Sequence, residues 1–197
     1  MTSLILASKS ASRAAVLRAA GVPFTARASD VDEDATKDRL LVENATPRRI
    51  AETLAEEKAL AVSRLGPGLT LGADQTLELA GVLYDKASDL DQARIRLRQF
   101  RGCTHHLHAA VVLAQDGAVV WRHTDTTSLT MRDFSDAFLE TYLVAHGQAA
   151  LSSVGCYQLE GAGAQLFTRV DGDYFSILGL PLWGLLDYLR GAGVLSA

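Results

Sequence analysis

Short apolar runs and amphipathic stretches alternate along the chain without internal repeats. Leu4–Ala7 is an apolar run that predicts a buried strand. Ala11–Ala20 carries helix formers, with Val16 and Leu17 on one face, Ser10 placed to cap its start and Gly21 just past its end. Pro23–Ala28 reads as extended, and the polar, acidic stretch Ser29–Asn44 as a loop. Thr46-Pro47 is a cap followed by proline in the first turn of a helix running to about Arg64, which Gly66-Pro67-Gly68 ends. Leu69–Leu79 predicts a strand, with a tight turn at Gly81 before Val82–Tyr84. Ser88 is placed to cap a helix through about Arg101, whose Leu90, Ala93, Leu97 and Phe100 share a face.

Two stretches flanking Asp116-Gly117, His105–Ala114 and Ala118–Arg122, carry a hairpin signal. Phe134–Ala145 is an amphipathic helix. Leu166–Val170 and Tyr174–Ile177 read as short strands around Asp171-Gly172, and Pro181–Arg190 as a C-terminal helix. The order predicts an α/β domain with a mixed sheet, folded into two lobes with a cleft between them. The central hairpins argue against a purely parallel, doubly wound sheet.

Composition narrows the class. A chain of 197 residues, 48% hydrophobic and 21% charged, suits one sizeable domain or two small lobes sharing a core, and excludes disorder. The net charge of −4 leaves no basic excess for generic nucleic-acid binding. The N-terminus has no basic region ahead of an apolar run, so no signal peptide is expected. The longest apolar stretch, near Ile177–Leu186, is broken by glycines and Pro181, so no membrane span is expected either. Cys103 and Cys156 form no CxxC pair, which points to two reduced thiols and a cytoplasmic protein.

The basic residues are unequal in kind: fifteen arginines and four lysines, Lys9, Lys37, Lys58 and Lys86. A retained lysine is therefore worth examining. The strand–Ser8-Lys9-Ser10–helix segment offers the free N–H groups of a helix start, hydroxyls from Ser8, Ser10 and Ser12, and the Arg13 fork, all suited to phosphate oxygens. A plain cap at Ser10 with a surface Arg13 explains the same residues. The GxxxxGK[ST] loop is absent.

Asp30, Asp32, Glu33 and Asp34 gather carboxylates of the kind Mg²⁺ takes, but Ala35 and Leu41 stand where an EF-hand needs glycine and glutamate. A solvated acidic loop accounts for most of them. Asp74 lies inside an apolar strand, where a carboxylate needs a cation, a metal or hydrogen bonds. Lys58 precedes it on a helix and Lys86 follows it across the Gly81 turn, so the three suit a metal–phosphate site or a simple ion pair. His105, His106 and His108 read as strand-face histidines rather than zinc ligands, with His105 facing away from the other two. Gly155–Gly161 is a loop calling for permissive backbone. Its Glu160 is a candidate for a base edge or for solvent.

Taken in order, these segments resemble the Maf family of nucleoside triphosphate pyrophosphatases over nearly the whole chain, residues 1–197 as a single domain. Leu6-Ala7-Ser8-Lys9-Ser10 with Arg13 resembles the family's LASxSPRR, Asp32-Glu33 its DE pair, and Ala55–Ala59 its AxxKA segment. Gly72-Ala73-Asp74 resembles GAD, and Lys86 the lysine of GKP. Gly102 with His105 resembles GxxH, Gly155–Gly161 resembles GxYxxQG, and Gly179–Leu182 matches GLPL. The resemblance implies an elongated α/β fold with a central cleft, a divalent cation (Mg²⁺ or Mn²⁺), often a homodimer, and hydrolysis of a triphosphate to monophosphate and pyrophosphate. It also implies links to septum formation and to removal of modified nucleotides.

Carried over residue by residue, Asp74 is the proton acceptor, Ser8, Arg13, Lys58 and Lys86 contact the triphosphate, and Glu33 with Asp74 holds the metal. Ala11, Ser12 and Ala87 depart from the pattern, standing for a proline, an arginine and a proline. Gln75 and Glu160 together resemble the branch acting on 7-methyl-GTP. A glutamate accepts from guanine-type N–H donors, whereas a glutamine both donates and accepts. The alternative of another class is a catalytically weak nucleotide-binding regulator of cell division acting through a protein partner.

Overall fold

The computed structural model describes residues 3–196. Seven strands form a mixed sheet in the order β2-β1-β3-β5-β6-β7, with β4 paired to β3. They are β1 (Leu4–Leu6), β2 (Thr25–Ala26), β3 (Leu69–Leu79), β4 (Val82–Tyr84), β5 (Thr104–Gln115), β6 (Ala118–Met131) and β7 (Phe167–Asp171). The helices are α1 (Ala11–Ala19), α2 (Glu33–Val42), α3 (Pro47–Ser63), α4 (Leu90–Phe100), α5 (Asp136–Ala150), α6 (Tyr174–Ile177) and α7 (Leu182–Gly191). The chain divides into two compact units. The first takes in the described residues up to Gln75, His108–Thr126, and those from Asp173 onward; the second takes in Thr76–Leu107 and Thr127–Gly172.

In the first unit β1 runs parallel to both β2 and β3, with Leu4 opposite Leu69 and Leu6 opposite Leu71. The Ala7 N–H continues the ladder to the Leu71 carbonyl at 2.8 Å. The carboxyl end of β1, where Ser8 begins the turn into α1, therefore lies beside the stretch of β3 that carries Asp74. Leucines of β1 and β3 join Leu17, Val111, Leu113, Leu185 and Leu189 in one buried cluster. On α3 the small residues Ala51, Ala55 and Ala59 lie against Ala110, Val112 and Ala114 of β5, which lets helix and sheet approach closely. The hairpin between β5 and β6 turns at Asp116 and Gly117, both with positive φ (52° and 77°), as the Asp-Gly signal predicts.

The second unit packs α4 on α5. Ala93, Leu97 and Phe100 are buried on the first helix, and Leu139, Tyr142 and Leu143 on the second. His105 sits among rings here: Phe100, Tyr157 and Phe167 lie with centroids 5.0, 5.6 and 5.9 Å away.

Four expectations are corrected. Most of the supposed loop Ser29–Asn44 is helix α2. Asp32 caps it by accepting from the Ala35 N–H at 3.0 Å, and Glu33 and Asp34 occupy the first turn, where negative charge suits the helix dipole. Its buried positions are only Thr36 and Leu40, too sparse a stripe to show as periodicity. Tyr174–Ile177 is a helical turn rather than a strand, because Asp173 caps it through the Ser176 N–H at 2.8 Å. Asp89, not Ser88, caps α4, accepting from the Gln92 N–H at 2.8 Å. Strand β6 also runs well past the expected Arg122, since its hydroxyl-rich second half bonds to histidines of β5: His106 to Ser128 at 3.0 Å and His108 to Thr126 at 2.9 Å. Among the described residues, no helix is long and apolar enough to cross a membrane.

Candidate active site

The start of α1 is built from serines. The Ser10 hydroxyl accepts from the Arg13 N–H at 3.3 Å and so caps the helix. The Ser8 hydroxyl oxygen accepts twice, from the Ser10 N–H and from an Arg13 guanidinium N–H, each at 3.2 Å. With both lone pairs engaged, the Ser8 O–H is the part left to donate. Burial draws the Arg13 guanidinium below its ordinary range, while the negative charges of Asp74 and Glu33 oppose that shift. The three candidates are thus near enough to act on one another electrostatically.

Lys58 of α3 joins two carboxylates. Its Nζ lies 2.6 Å from Asp74 Oδ1 and 2.9 Å from Glu33 Oε1. The side chains of Lys58 and Asp74 are only 6% and 9% exposed, whereas Glu33 is 46% exposed. Two features allow this buried pair. Strand β3 and helix α3 come together at Gly72, where a Cβ would stand 2.1 Å from the Ala55 carbonyl oxygen. Helix α2, tied to Glu57 of α3 through Thr36 at 2.7 Å and Arg39 at 3.1 Å, brings Glu33 to the lysine. The ion pair that β3 needs for its buried aspartate is therefore present.

Gln75, Ser12 and Arg13 share another set of partners. The Gln75 amide donates to the carbonyls of Ser176 and Ile177 at 2.8 and 3.0 Å. Ser12 donates to the Leu178 carbonyl at 3.0 Å, and Arg13 Nε to that of Gly179 at 2.9 Å. Four successive carbonyls of one segment thus face three of the site candidates. The strand expected over Tyr174–Ile177 gives Ser176 no role, although Asp173 three residues before it is an N-cap signal.

The remaining two candidates belong to the second unit. Lys86 is exposed in the segment after β4, and Glu160 is exposed in the turn before the short helix Ala162–Leu166. In the Gly155–Gly161 loop the close approach occurs at Gly155, where a Cβ would lie 2.2 Å from the Tyr157 ring. The left-handed residue there is Cys156 (φ 59°) rather than a glycine. Among the described residues, no cluster of three or more His, Cys, Asp or Glu gathers to hold a metal. Glu33 and Asp74 instead form a two-carboxylate pair, a donor set that suits Mg²⁺ when phosphate oxygens and water complete its shell.

Relatives extend along the whole chain. A nucleoside triphosphate pyrophosphatase of Caulobacter vibrioides is 55% identical over 196 residues, covering 100% of this chain and 98% of its own. A 7-methyl-GTP pyrophosphatase of Brucella suis biovar 1 is 49% identical over 188 residues, 95% of this chain and 94% of its own. A nucleoside triphosphate pyrophosphatase of Paramagnetospirillum magneticum is 50% identical over 192 residues, 97% of this chain and 99% of its own. The model of the family described as Maf-like protein matches residues 3–192. With Asp74, Lys58 and Glu33 joined beside the Ser8–Arg13 turn, and with similarity running from one end to the other, the chain belongs to the Maf family.

Proposed function

We propose that the chain is a nucleoside triphosphate pyrophosphatase, hydrolysing its substrate to a monophosphate and pyrophosphate by attack of water at the α-phosphorus. The observation that carries this reading is the buried Asp74 carboxylate held by Lys58 against Glu33. The names of the relatives support it and do not favour the alternative of a catalytically weak regulator of cell division.

Asp74 orients the water and accepts its proton, with Lys58 fixing the carboxylate through one oxygen. Arg13, the Ser8 O–H, Ser10 and the free N–H groups at the start of α1 bind phosphate oxygens; Lys86 is a further cationic contact to the triphosphate. Glu33 and Asp74 are the residues that would hold Mg²⁺ or Mn²⁺. Bound there, the ion would offset charge on the phosphates.

Base choice falls to Gln75 and Glu160, with Ser12, which like Gln75 bonds to a carbonyl of the 176–179 segment. Because both Gln75 amide protons are committed to carbonyls, only its Oε1 remains to meet a ligand, and Glu160 is likewise an acceptor. Two acceptors suit the N–H donors of a guanine edge, so the proposed substrate is 7-methyl-GTP. The proposed partners are the triphosphate and a second copy of the chain, as the resemblance implies. Nucleoside triphosphates are held inside cells, which places the proposed activity in the cytoplasm.

A panel of triphosphates including 7-methyl-GTP, UTP and dTTP, read by pyrophosphate release, tests both levels. Release from 7-methyl-GTP is expected, with kcat falling about 10²–10⁴-fold in Asp74→Asn. Turnover of UTP and dTTP alone would overturn the base assignment. Near-normal turnover by Asp74→Asn would overturn the role of Asp74.

A further inference from the structure

The segment Ser176–Gly179 presents its four carbonyls to Gln75, Ser12 and Arg13 in turn. Gly179 adopts φ +86°, a left-handed conformation that glycine takes freely and that lets the last carbonyl reach Arg13. A backbone run can set the aim of three side chains only if it is itself fixed. Its own turn fixes it in part, the Ile177, Leu178 and Gly179 N–H groups bonding to the carbonyls of Asp173, Tyr174 and Ser176, and the Ser176 side chain fixes it to a neighbouring strand.

The Ser176 side chain is buried, at 1% exposure. Its hydroxyl oxygen lies 2.7 Å from Asp125 Oδ2 and 3.1 Å from Asp173 Oδ2. One hydroxyl has one proton, so it can serve only one carboxylate as a full donor. Asp173 is supplied without it: Oδ2 accepts the Ser176 N–H at 2.8 Å and Oδ1 accepts the Trp183 indole N–H at 2.8 Å. The shorter distance and this proton count both assign the hydroxyl to Asp125. Asp125 is anchored in turn on β6, where its Oδ1 meets His123 Nε2 at 2.9 Å and the His123 ring stacks on Trp121.

We infer that Ser176 and Asp125 are positioning residues for the reaction: the Ser176–Asp125 hydrogen bond holds the 176–179 carbonyls in place, and those carbonyls orient Gln75, Ser12 and Arg13 toward the substrate. This rests on the proposed triphosphate hydrolysis for its kinetic consequence, but not for its structural one. The chain of contacts runs from the exposed half of β6 to the start of α1 without either residue touching the substrate. A water-filled gap at Ser176 would free the segment to shift and leave Gln75 donating to a moving target.

Four variants test it: Ser176→Ala, Asp125→Ala, Asp125→Asn and the double Ser176→Ala/Asp125→Ala. Loss of one hydrogen bond is expected to raise KM about threefold to tenfold in Ser176→Ala and Asp125→Ala, with kcat changed by less than about twofold. The double variant is expected to be no worse than the worse single, since both remove the same bond. Asp125→Asn keeps an acceptor oxygen for the hydroxyl and is expected to recover most of the KM lost in Asp125→Ala. Independently of turnover, exchange of the Gln75 side-chain amide protons, followed by NMR, is expected to speed up in Ser176→Ala and Asp125→Ala. Slow Gln75 exchange retained in both alanine variants, or additive losses of KM, would overturn the inference. Should the unaltered protein release no pyrophosphate from any triphosphate, the proposed function fails, and the Gln75 exchange alone decides the positioning role.

Discussion

His105 shows how one side chain can be claimed by the fold rather than by the reaction. It is fully buried, its Nε2 lies 2.7 Å from the Tyr157 hydroxyl, and its Nδ1 has no partner among the described residues. Burial, with a smaller contribution from His106, lowers its pKa from 6.5 to about 4. The folded protein therefore prefers the neutral ring. Above pH 6.5 the ring is neutral in both states and its contribution to stability is complete. As the pH falls from 6.5 toward 4, the unfolded chain takes up a proton that the folded one refuses, so stability declines through that window. The loss reaches ~3 kcal/mol at its lower end. Replacing the ring by glutamine removes this titration, so the difference in urea-unfolding free energy between the parent and His105→Gln is expected to shrink on acidification. Parallel curves for the two proteins from neutral pH down to about pH 4 would contradict this account.

At the level of elements, the site depends on how closely α3 approaches β3. A Cβ at Gly72 would stand 2.1 Å from the Ala55 carbonyl oxygen and 2.6 Å from the Ala59 amide nitrogen, both of them helix backbone. Backbone cannot swing aside as a side chain can, so Gly72→Ala must move the helix, and Lys58 travels with it away from Asp74. The expected cost is ~3 kcal/mol of stability, measured as a lowered urea midpoint. Pyrophosphate release should also fall under conditions where the variant remains folded. The sequence made this meeting legible, because an apolar strand holding an aspartate calls for a nearby cation and the alanine-rich α3 offers Lys58. It also disclosed the helix start at Ser10, the Asp116-Gly117 hairpin and most of the strands, all of which rest on local periodicity or turn chemistry. Helix α2 was not legible, because its hold on α3 is made by Thr36 and Arg39 bonding to Glu57, and polar anchors leave no hydrophobic period. The carbonyls of 176–179 were hidden for a different reason. Backbone groups carry no residue signature, and Gln75 and Ser176 are 101 positions apart in the chain.

Across the whole molecule, charge is shared more evenly than its order along the chain suggests. The first hundred residues hold fourteen basic and fourteen acidic side chains, so the net −4 falls in the remainder of the sequence. By compact unit, however, the first carries twelve basic and fourteen acidic groups and the second seven and nine. Neither unit offers a broad positive field, so a triphosphate has to be held by a few local cations and by any ion that comes with it. Glu33 and Asp74, the carboxylates proposed for that ion, both already face the Lys58 ammonium, which competes with a metal for the same oxygens. Magnesium usually takes one or two carboxylates and completes its shell with phosphate oxygens and water. Metal and triphosphate should therefore bind as a pair. Mg²⁺ alone is expected to leave the thermal midpoint nearly unchanged, whereas Mg²⁺ with a non-hydrolysable triphosphate raises it, by the equivalent of ~2.7 kcal/mol when the ligand is at a hundred times its Kd. A chelator should abolish pyrophosphate release, and added Mg²⁺ should restore it. A midpoint that rises equally with Mg²⁺ alone would mean that the protein holds the ion before substrate arrives, with Lys58 displaced from one of its two carboxylates.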